Sequence, residues 1–235
     1  MDNLSATYAD GCLYVAGGKG KPQTVPIGQD GSQTAPTNPL FSLQLTPSLQ
    51  KEWVRLPDFP GPARVQPVLT AQQSEDGIRL YLAGGFQPAS AHQEAIVCTD
   101  MLSYHPKTKQ WRNEGFLPSL AGGSHRTVTG GCAIASGDSS ILLVGGVNYD
   151  RFRNALNHPE PDYLLHPADW YKFNTSLLQY NTFTKHWTHL GNYEELARAG
   201  AGIANNANTV IIIGGELKPG IRTPEVNAFK LTRHP

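Results

Sequence analysis

The chain of 235 residues is long enough for one large β domain or two small ones. Its 19 basic and 19 acidic residues give a formal net charge of zero. Proteins that bind nucleic acid or a membrane surface usually carry an excess of basic residues, so this balanced charge leads us to expect neither partner. Glycine (24) and proline (18) are frequent and only 16% of the residues are charged, which indicates many short strands joined by turns.

The three cysteines, Cys12, Cys98 and Cys132, lie far apart in the sequence. An odd and unclustered set predicts buried thiols rather than a disulfide framework or a zinc site. The sequence shows neither an apolar run of membrane-spanning length nor a secretion signal. We therefore expect a cytoplasmic protein, or a periplasmic one if an N-terminal segment is missing.

Four copies of an apolar run that ends in two glycines recur along the chain. The glycine pairs are 61 to 69 residues apart and begin at Gly17, Gly84, Gly145 and Gly214. A small-residue segment precedes each run, and a segment of alternating apolar and polar residues follows it. Three copies then carry a tryptophan, at Trp53, Trp111 and Trp187. Each full copy therefore predicts four short strands.

Four-stranded repeats with this glycine pattern predict the blades of a kelch-type β-propeller. Small residues suit the strand at the crowded axis, and tryptophan suits the outer strand, where it fills the wedge between blades. The predicted fold class is all-β, in one domain over residues 1–235. Its predicted blades cover about 5–60, 61–121, 122–195 and 196–235. A β-sandwich is the alternative, but four in-phase copies rarely arise by chance.

The fourth copy stops after its third strand, so the last predicted blade lacks an outer strand. Residues 1–5 are too short to supply that strand, and kelch propellers generally close with more than four blades. We expect four of six blades, with two absent on the N-terminal side. The alternative is a four-bladed ring with one three-stranded blade. An open arc would expose apolar blade faces and so allow self-association.

The repeat places the loops after the glycines, and the loops that lead into the inner strands, around one mouth of the channel. Candidate site residues on these loops are Arg64, His125, Asn148, Arg198, Glu216 and Arg222. Arginine matches a carboxylate, and aromatic residues in the long loop 147–171 could pack on a sugar, so we expect a small acidic sugar as the ligand. The alternative is structural: the arginines bond loop carbonyls and Glu216 is a solvated loop residue. The scattered histidines argue against a metal site.

Three segments carry a resemblance to a known family. They are LPDFPGPAR at 56–64, VGGVN at 144–148 and, most specifically, GELKPGIRT at 215–223. Over most of its length the chain resembles the bacterial N-acetylneuraminate epimerases, which are sialic acid mutarotases. The resemblance implies a six-bladed kelch propeller that interconverts the α and β anomers of N-acetylneuraminic acid without a cofactor. The chain ends where cyclically permuted members end, so it resembles their C-terminal two-thirds.

The resemblance also implies roles for individual residues. Glu216 corresponds to the proposed catalytic acidic residue, and Arg222 to the arginine of the same motif. In mutarotation a base takes the anomeric hydroxyl proton while an acid protonates the ring oxygen. We expect Glu216 to be that base and Arg222 to orient it or to hold the sugar carboxylate. Arg64, His125, Asn148 and Arg198 are the expected substrate-binding residues, with His125 as a candidate acid, and no metal is expected.

Three other functions fit the same repeat. A non-enzymatic kelch module would bind a protein on this rim, although protein ligands favour exposed apolar hot spots over charged pockets. A copper radical oxidase would need a Tyr–Cys crosslink and histidine ligands at the mouth, whereas two cysteines lie in predicted strands. The third alternative is an inactive mutarotase fragment, because two blades are expected to be absent.

Overall fold

The structure, a computed structural model, describes residues 2–19, 38–45, 52–120, 122–206 and 208–231. Its main sheets are antiparallel, and each is formed by one continuous stretch of the chain. Blade one contains β1 (Asp2–Ala9), β2 (Cys12–Lys19), β3 (Leu40–Gln44) and β4 (Trp53–Leu56), in that spatial order. Its first strand begins at Asp2, three residues before the predicted start near Ser5.

The second blade has the same order of strands, with a small hairpin added at the rim. Its strands are β5 (Val68–Ser74), β6 (Gly77–Ala83), the rim pair β7 (Phe86–Gln87) and β8 (Ile96–Val97), β9 (Asp100–His105) and β10 (Gln110–Phe116). The rim pair forms a separate two-stranded sheet directly after the second glycine pair. The four-stranded sheet runs from β5 at the axis to β10 at the outside.

The third and fourth blades differ in what they insert after their glycines. Blade three contains β11 (Cys132–Ser136), β12 (Ser140–Val144), β13 (Ser176–Asn181) and β14 (Trp187–Asn192). Between β12 and β13 it inserts helix α1 (Tyr149–Asn157) and two 3₁₀ turns, at Tyr163–Leu165 and Ala168–Tyr171.

A third 3₁₀ turn, Glu194–Leu196, leads to blade four. That blade contains β15 (Gly202–Asn206), β16 (Thr209–Ile213), the rim hairpin β17 (Glu216–Lys218) and β18 (Ile221–Arg222), and β19 (Val226–Lys230). Its described sheet has three strands.

The hydrophobic core lies between blades rather than within any one of them. The inner strands pack in the series β1, β5, β11 and β15, which is the arrangement of propeller blades around an axis. Tyr14 and Leu40 of blade one pack with Leu80 and Tyr104 of blade two. Corresponding apolar clusters join blade two to blade three and blade three to blade four. In blades two and three the tryptophan of the outer strand packs on the tyrosine of the neighbouring strand, with centroids 5.1 Å apart for Trp111–Tyr104 and 4.8 Å for Trp187–Tyr180.

The first three glycine pairs bring successive blades into backbone contact. All eight glycines of the four pairs have positive φ, a conformation that residues with a Cβ adopt only under strain. A Cβ on Gly145 would lie 2.6 Å from the carbonyl oxygen of Arg198, and a Cβ on Gly17 would clash in the same way with that of Arg64. The second glycine of each of these pairs donates its N–H to the same carbonyl, at 2.8 Å for Gly18 and for Gly146. Only glycine allows this approach.

Two buried arginines fasten the strands beside these contacts. Arg64 donates from Nη1 to the Gly84 carbonyl at 2.9 Å and from Nη2 to both carboxylate oxygens of Asp100, at 2.8 and 2.7 Å. Arg198 likewise donates from Nη1 to the Gly214 carbonyl at 3.2 Å and from Nη2 to the Glu225 carboxylate at 2.8 Å. Each arginine therefore joins the end of one strand to the start of the next within a single blade.

Blade three replaces this arginine with an amide. Asn174, just before β13, donates from Nδ2 to the carbonyls of Thr127, Gly145 and Val147 at 2.8, 3.2 and 3.0 Å. The residue in the position of Arg64 is Val128, which is buried. In blade three the strand ends that an arginine joins in blades two and four are therefore joined by the neutral amide of Asn174. The loop after Gly146 leaves the sheet beside this amide.

Apolar side chains are exposed on the outward faces of the first and last described blades. Tyr8 and Trp53 lie in solvent on blade one, as do Ile213 and Val226 on blade four. These faces are where self-association was predicted, and that association stays a prediction. Within the described ranges, no helix has both the length and the apolar character needed to cross a membrane.

The buried clamp at Arg64 is expected to carry more stability than an exposed pair of the same residue types. Arg64→Ala should lower the free energy of unfolding by about 3–5 kcal/mol, because it leaves the Asp100 carboxylate without its partner. Arg55→Ala is the matched control, since Arg55 binds Asp58 at 2.9 Å on the surface and should contribute less than about 1 kcal/mol. Urea unfolding monitored by circular dichroism measures both. Equal losses in the two variants would contradict a role for the clamp in stability.

Candidate active site

Glu216 and Arg222 face each other across the rim hairpin of blade four. They are cross-strand partners of β17 and β18, which follow directly on Gly214 and Gly215. The turn between the two strands contains Gly220, whose φ is +77°. Arg222 Nε lies 3.5 Å from Glu216 Oε1. The spacing of six residues seen in the sequence is therefore the spacing of a tight hairpin that sets the two charges side by side.

The two partners differ in their exposure to solvent. The Glu216 side chain is 31% exposed and that of Arg222 is 82% exposed. Backbone hydrogen bonds fix the base of the hairpin, because Glu216 and Ala199 exchange both N–H···O bonds, at 2.7 and 3.0 Å. The carboxylate is thus partly sheltered on an anchored strand. The long and weakly paired Arg222 keeps most of its N–H donors available to a ligand.

The long loop of blade three forms a helix where the sequence predicted only a loop. Asn148 caps α1 by accepting a hydrogen bond from the Arg151 backbone N–H at 3.0 Å. The helix packs over the rim hairpin of blade two, with Phe152 5.1 Å from Phe86 between ring centroids. Asn157 accepts from the Ala95 N–H at 2.7 Å and donates to the Ala95 carbonyl at 3.2 Å. The helix therefore links the rims of blades two and three.

An aromatic group lies between α1 and the Glu216 hairpin. The rings of His166 and Trp170 stack, with centroids 3.9 Å apart, and the Arg151 guanidinium lies 4.5 Å from the Trp170 centroid. Lys218 donates from Nζ to the His166 carbonyl at 2.6 Å and to the Leu164 carbonyl at 3.2 Å. Since Lys218 is on β17, these bonds join the strand of Glu216 to the aromatic group.

The predicted substrate-binding residues lie in two different environments. His125 is exposed and packs against Tyr149, with centroids 5.1 Å apart, at the start of α1. The Asn148 side chain is engaged as the cap of that helix. Arg64 and Arg198 are buried inside the blades as clamps. The geometry therefore favours the structural alternative for these two arginines, and a substrate contact by them stays a prediction.

Arg151, Trp170 and Lys218 were not among the residues selected from the sequence for this site. One sequence signal for α1 was present: Asn148 is an N-cap residue type, and Asp150 follows in the first turn. No comparable signal marks Lys218, because its partners are backbone carbonyls more than 50 residues away in the chain.

Among the residues described by the structure, one group of side chains could hold a metal ion. Its ligand atoms, from Glu160, Asp162 and His166, lie within 4.8 Å of one another. Glu160 and Asp162 are exposed, and exposed acidic groups often lie together without an ion. The group therefore gives no argument for metal-dependent chemistry at Glu216.

The sequence matches the family described as N-acetylneuraminate epimerase over residues 23–234. The chain belongs to this family. The N-acetylneuraminate epimerase of Haemophilus influenzae strain PittEE is 30% identical over 242 residues, which cover 96% of this chain and 60% of the relative. The enzyme of that name from Pasteurella multocida strain Pm70 is 27% identical over 215 residues, covering 86% of this chain and 52% of the relative. The chain thus spans between half and two-thirds of the length of these family members.

A solved structure titled "Structure of YjhT" matches with a TM-score of 0.73 and 24% sequence identity. The match covers 98% of this chain and 62% of the solved chain. This likeness confirms the all-β propeller fold that the repeats predicted.

The two bonds from Lys218 are expected to hold the aromatic group against the Glu216 hairpin. Lys218→Met keeps the length of the side chain and removes both bonds, so hydrogen exchange should increase in peptides covering 163–171 and 216–222. Exchange in β9 should stay unchanged, since that strand lies in the core of blade two. Mass spectrometry of peptic fragments measures this. Unchanged exchange at 163–171 would show that other contacts hold the segment.

Proposed function

We propose that this chain catalyses the interconversion of the α and β anomers of N-acetylneuraminic acid, as an isomerase that needs no cofactor. The observation that carries the proposal is the Glu216–Arg222 pair at 3.5 Å, on an anchored rim hairpin. The pair lies within the segment that carries the most specific family motif. Membership of the epimerase family supports the assignment. A cytoplasmic location stays a prediction.

In the proposed mechanism, the Glu216 carboxylate takes the proton of the anomeric hydroxyl. The oxygen electron pair then forms the carbonyl as the ring carbon–oxygen bond breaks, and an acid gives the ring oxygen a proton. Rotation about the bond next to the carbonyl presents its other face. The reverse proton transfers then close the ring as the opposite anomer. His125 is the candidate acid on the same rim.

Arg222 is the group proposed to bind the carboxylate of the sugar. Its exposed guanidinium offers a planar fork that fits a carboxylate. Arg64 and Arg198 are less suited, because both already bind carboxylates of the protein. His166 and Arg151 cover the Trp170 ring, so this group would meet the sugar through the exposed Arg151 side chain. Binding and chemistry would then involve blades three and four.

A protein-binding function is the second candidate, and one observation favours it. Leu164 and Leu165 are both exposed on the rim segment beside the Glu216 hairpin. Exposed apolar residues near a rim are typical of surfaces that bind proteins. The catalytic assay separates the two functions, since a binding module would not change the rate of anomer exchange.

Glu216→Gln is expected to abolish most of the acceleration of anomer exchange, because an amide cannot act as the base. The measurement is NMR of N-acetylneuraminic acid, starting from one pure anomer, with and without the protein. We expect a loss of at least about 100-fold in the catalysed rate, which is typical of removing a general base.

Glu75→Gln is the matched control for this experiment. Glu75 is an exposed glutamate on the turn between β5 and β6, at the opposite end of the blade from the rim. Its variant should keep the wild-type rate. A folded wild-type chain without any acceleration would contradict the proposed activity, and a Glu216→Gln variant with a normal rate would remove Glu216 from the role of base.

Arg222→Ala is expected to weaken the binding of N-acetylneuraminic acid by about tenfold or more, the effect of losing a charge-assisted hydrogen bond. Isothermal titration calorimetry measures the dissociation constant. Arg112→Ala is the control, because Arg112 is also an exposed arginine in a surface ion pair, with Asp76 at 3.2 Å. Equal affinity in wild type and Arg222→Ala would assign Arg222 to positioning Glu216 alone.

A further inference from the structure

A cavity of about 420 Å³ lies in the wedge between blades two and three. It opens where β10 ends and β13 begins, which is the rim side of the blades. The indole of Trp187 lines it together with polar side chains, which belong to Ser119, Arg126, Ser176, His189 and Asn192. None of these residues belongs to the Glu216 hairpin of blade four. Its volume is within the range of pockets that bind small molecules.

Arg126 is the charged group of this cavity. It is 7% exposed, and its Nε and Nη1 atoms are buried without any hydrogen-bond partner among the described residues. Burial also lowers the pKa of this guanidinium from its ordinary value. An unpaired cation that is removed from water destabilises a protein, unless a ligand supplies the missing negative charge.

The next blade shows that the fold does not require a charge at this position. Gln66, Gly130 and Gly200 are equivalent residues, because all three have positive φ and hydrogen bonds link them in series, with N···O distances of 3.0 and 2.7 Å. Counting back four residues from Gly130 and from Gly200 aligns Arg126 with Leu196. Leu196 is buried in the apolar core between blades three and four. Blade two therefore leads into blade three with a cation where its neighbour has a leucine.

The preceding wedge shows why a cavity forms here. Between blades one and two, buried Phe59 fills the space beside Trp111, with ring centroids 5.9 Å apart. The Trp111 indole donates to the Pro57 carbonyl at 2.9 Å. The matching segment of blade two, Leu-Pro-Ser-Leu at 117–120, places the smaller Leu120 where blade one has Phe59. The Trp187 indole makes no hydrogen bond to any described residue, so its N–H is left for a ligand.

We infer that this cavity is a second binding site, which takes a small carboxylate-bearing polyol such as a sugar acid. The buried guanidinium of Arg126 would hold the carboxylate through its fork. Hydroxyl groups would meet the polar set in which Asn192 Oδ1 accepts from Ser176 Oγ at 2.9 Å and lies 3.1 Å from His189 Nε2. The Trp187 ring supplies the apolar wall. The site goes beyond the proposed anomer exchange and does not depend on it.

The test uses D-glucuronate as the probe, and D-glucose as a matched sugar without the carboxylate. The four tryptophans give four indole N–H signals in a ¹⁵N–¹H spectrum, and Trp187→Phe identifies the one from the cavity. We expect D-glucuronate to shift the Trp187 signal in a saturable way and D-glucose to leave it unchanged. No saturable shift, or an equal shift with glucose, would overturn the proposal.

Two variants of the cavity make the test specific. Arg126→Leu installs the residue of the next blade and should weaken D-glucuronate binding by at least about tenfold, while raising the melting temperature of the ligand-free protein. Leu120→Phe installs the ring of the preceding wedge, keeps the charge and should block binding by filling the space. Binding that survives in either variant would refute the site.

Glu216→Gln distinguishes this site from the proposed catalytic one. We expect the variant to bind D-glucuronate as wild type does, whatever its effect on anomer exchange. Loss of the Trp187 shift in Glu216→Gln would show that the probe occupies the rim of blade four instead. A chain that fails to exchange anomers but still shifts Trp187 would overturn the proposed function and leave this site in place.

Discussion

The close approach of the first three glycine pairs to the backbone of the next blade is the contact on which the arc of blades depends. At Gly145 a single Cβ would lie 2.6 Å from a carbonyl oxygen of the neighbouring blade. Because the backbones touch, the sheets can splay outward and leave wedges for tyrosine and tryptophan. The same contact fixes the direction in which the chain leaves the second strand. The rim hairpins and α1 therefore start from defined points.

Residue type alone does not give an arginine its role in this fold. Four arginines lie on the rim side of the repeated blades, yet their surroundings differ. They are Arg64, Arg126, Arg198 and Arg222. Two bind carboxylates within the blade through Nη2, one is buried with Nε and Nη1 unpaired among the described residues, and one extends into solvent. Only the last two keep most of their guanidinium donors for a ligand. The buried pairs hold the blades so that the other two can be presented.

The sequence predicted the blades well because their pattern is local and repeated. The four glycine pairs, the alternating strands and the outer tryptophans are each recognisable from a short segment of sequence. The contacts of individual side chains were harder to predict from the sequence, because the partner of Arg64 is 36 residues away and that of Arg198 is 27 residues away. Helix α1 was missed because its start signal, Asn148 followed by Asp150, was not used when residues 147–171 were assigned to a loop. The cavity at Arg126 depends on the size difference between Phe59 and Leu120, which no motif reveals.

The hydrogen bonds that link Gln66, Gly130 and Gly200 have a consequence for the electrostatics of the channel. Each runs from one blade to the next, so the peptide dipoles in this series follow one another around the axis instead of pointing along it. Such a circular arrangement gives little field at the mouth, unlike a helix end, which attracts anions by itself. This series of peptides therefore adds little field of its own toward an approaching ligand. Selection by charge is left to single side chains on the rim, and these can change without disturbing the series beneath them.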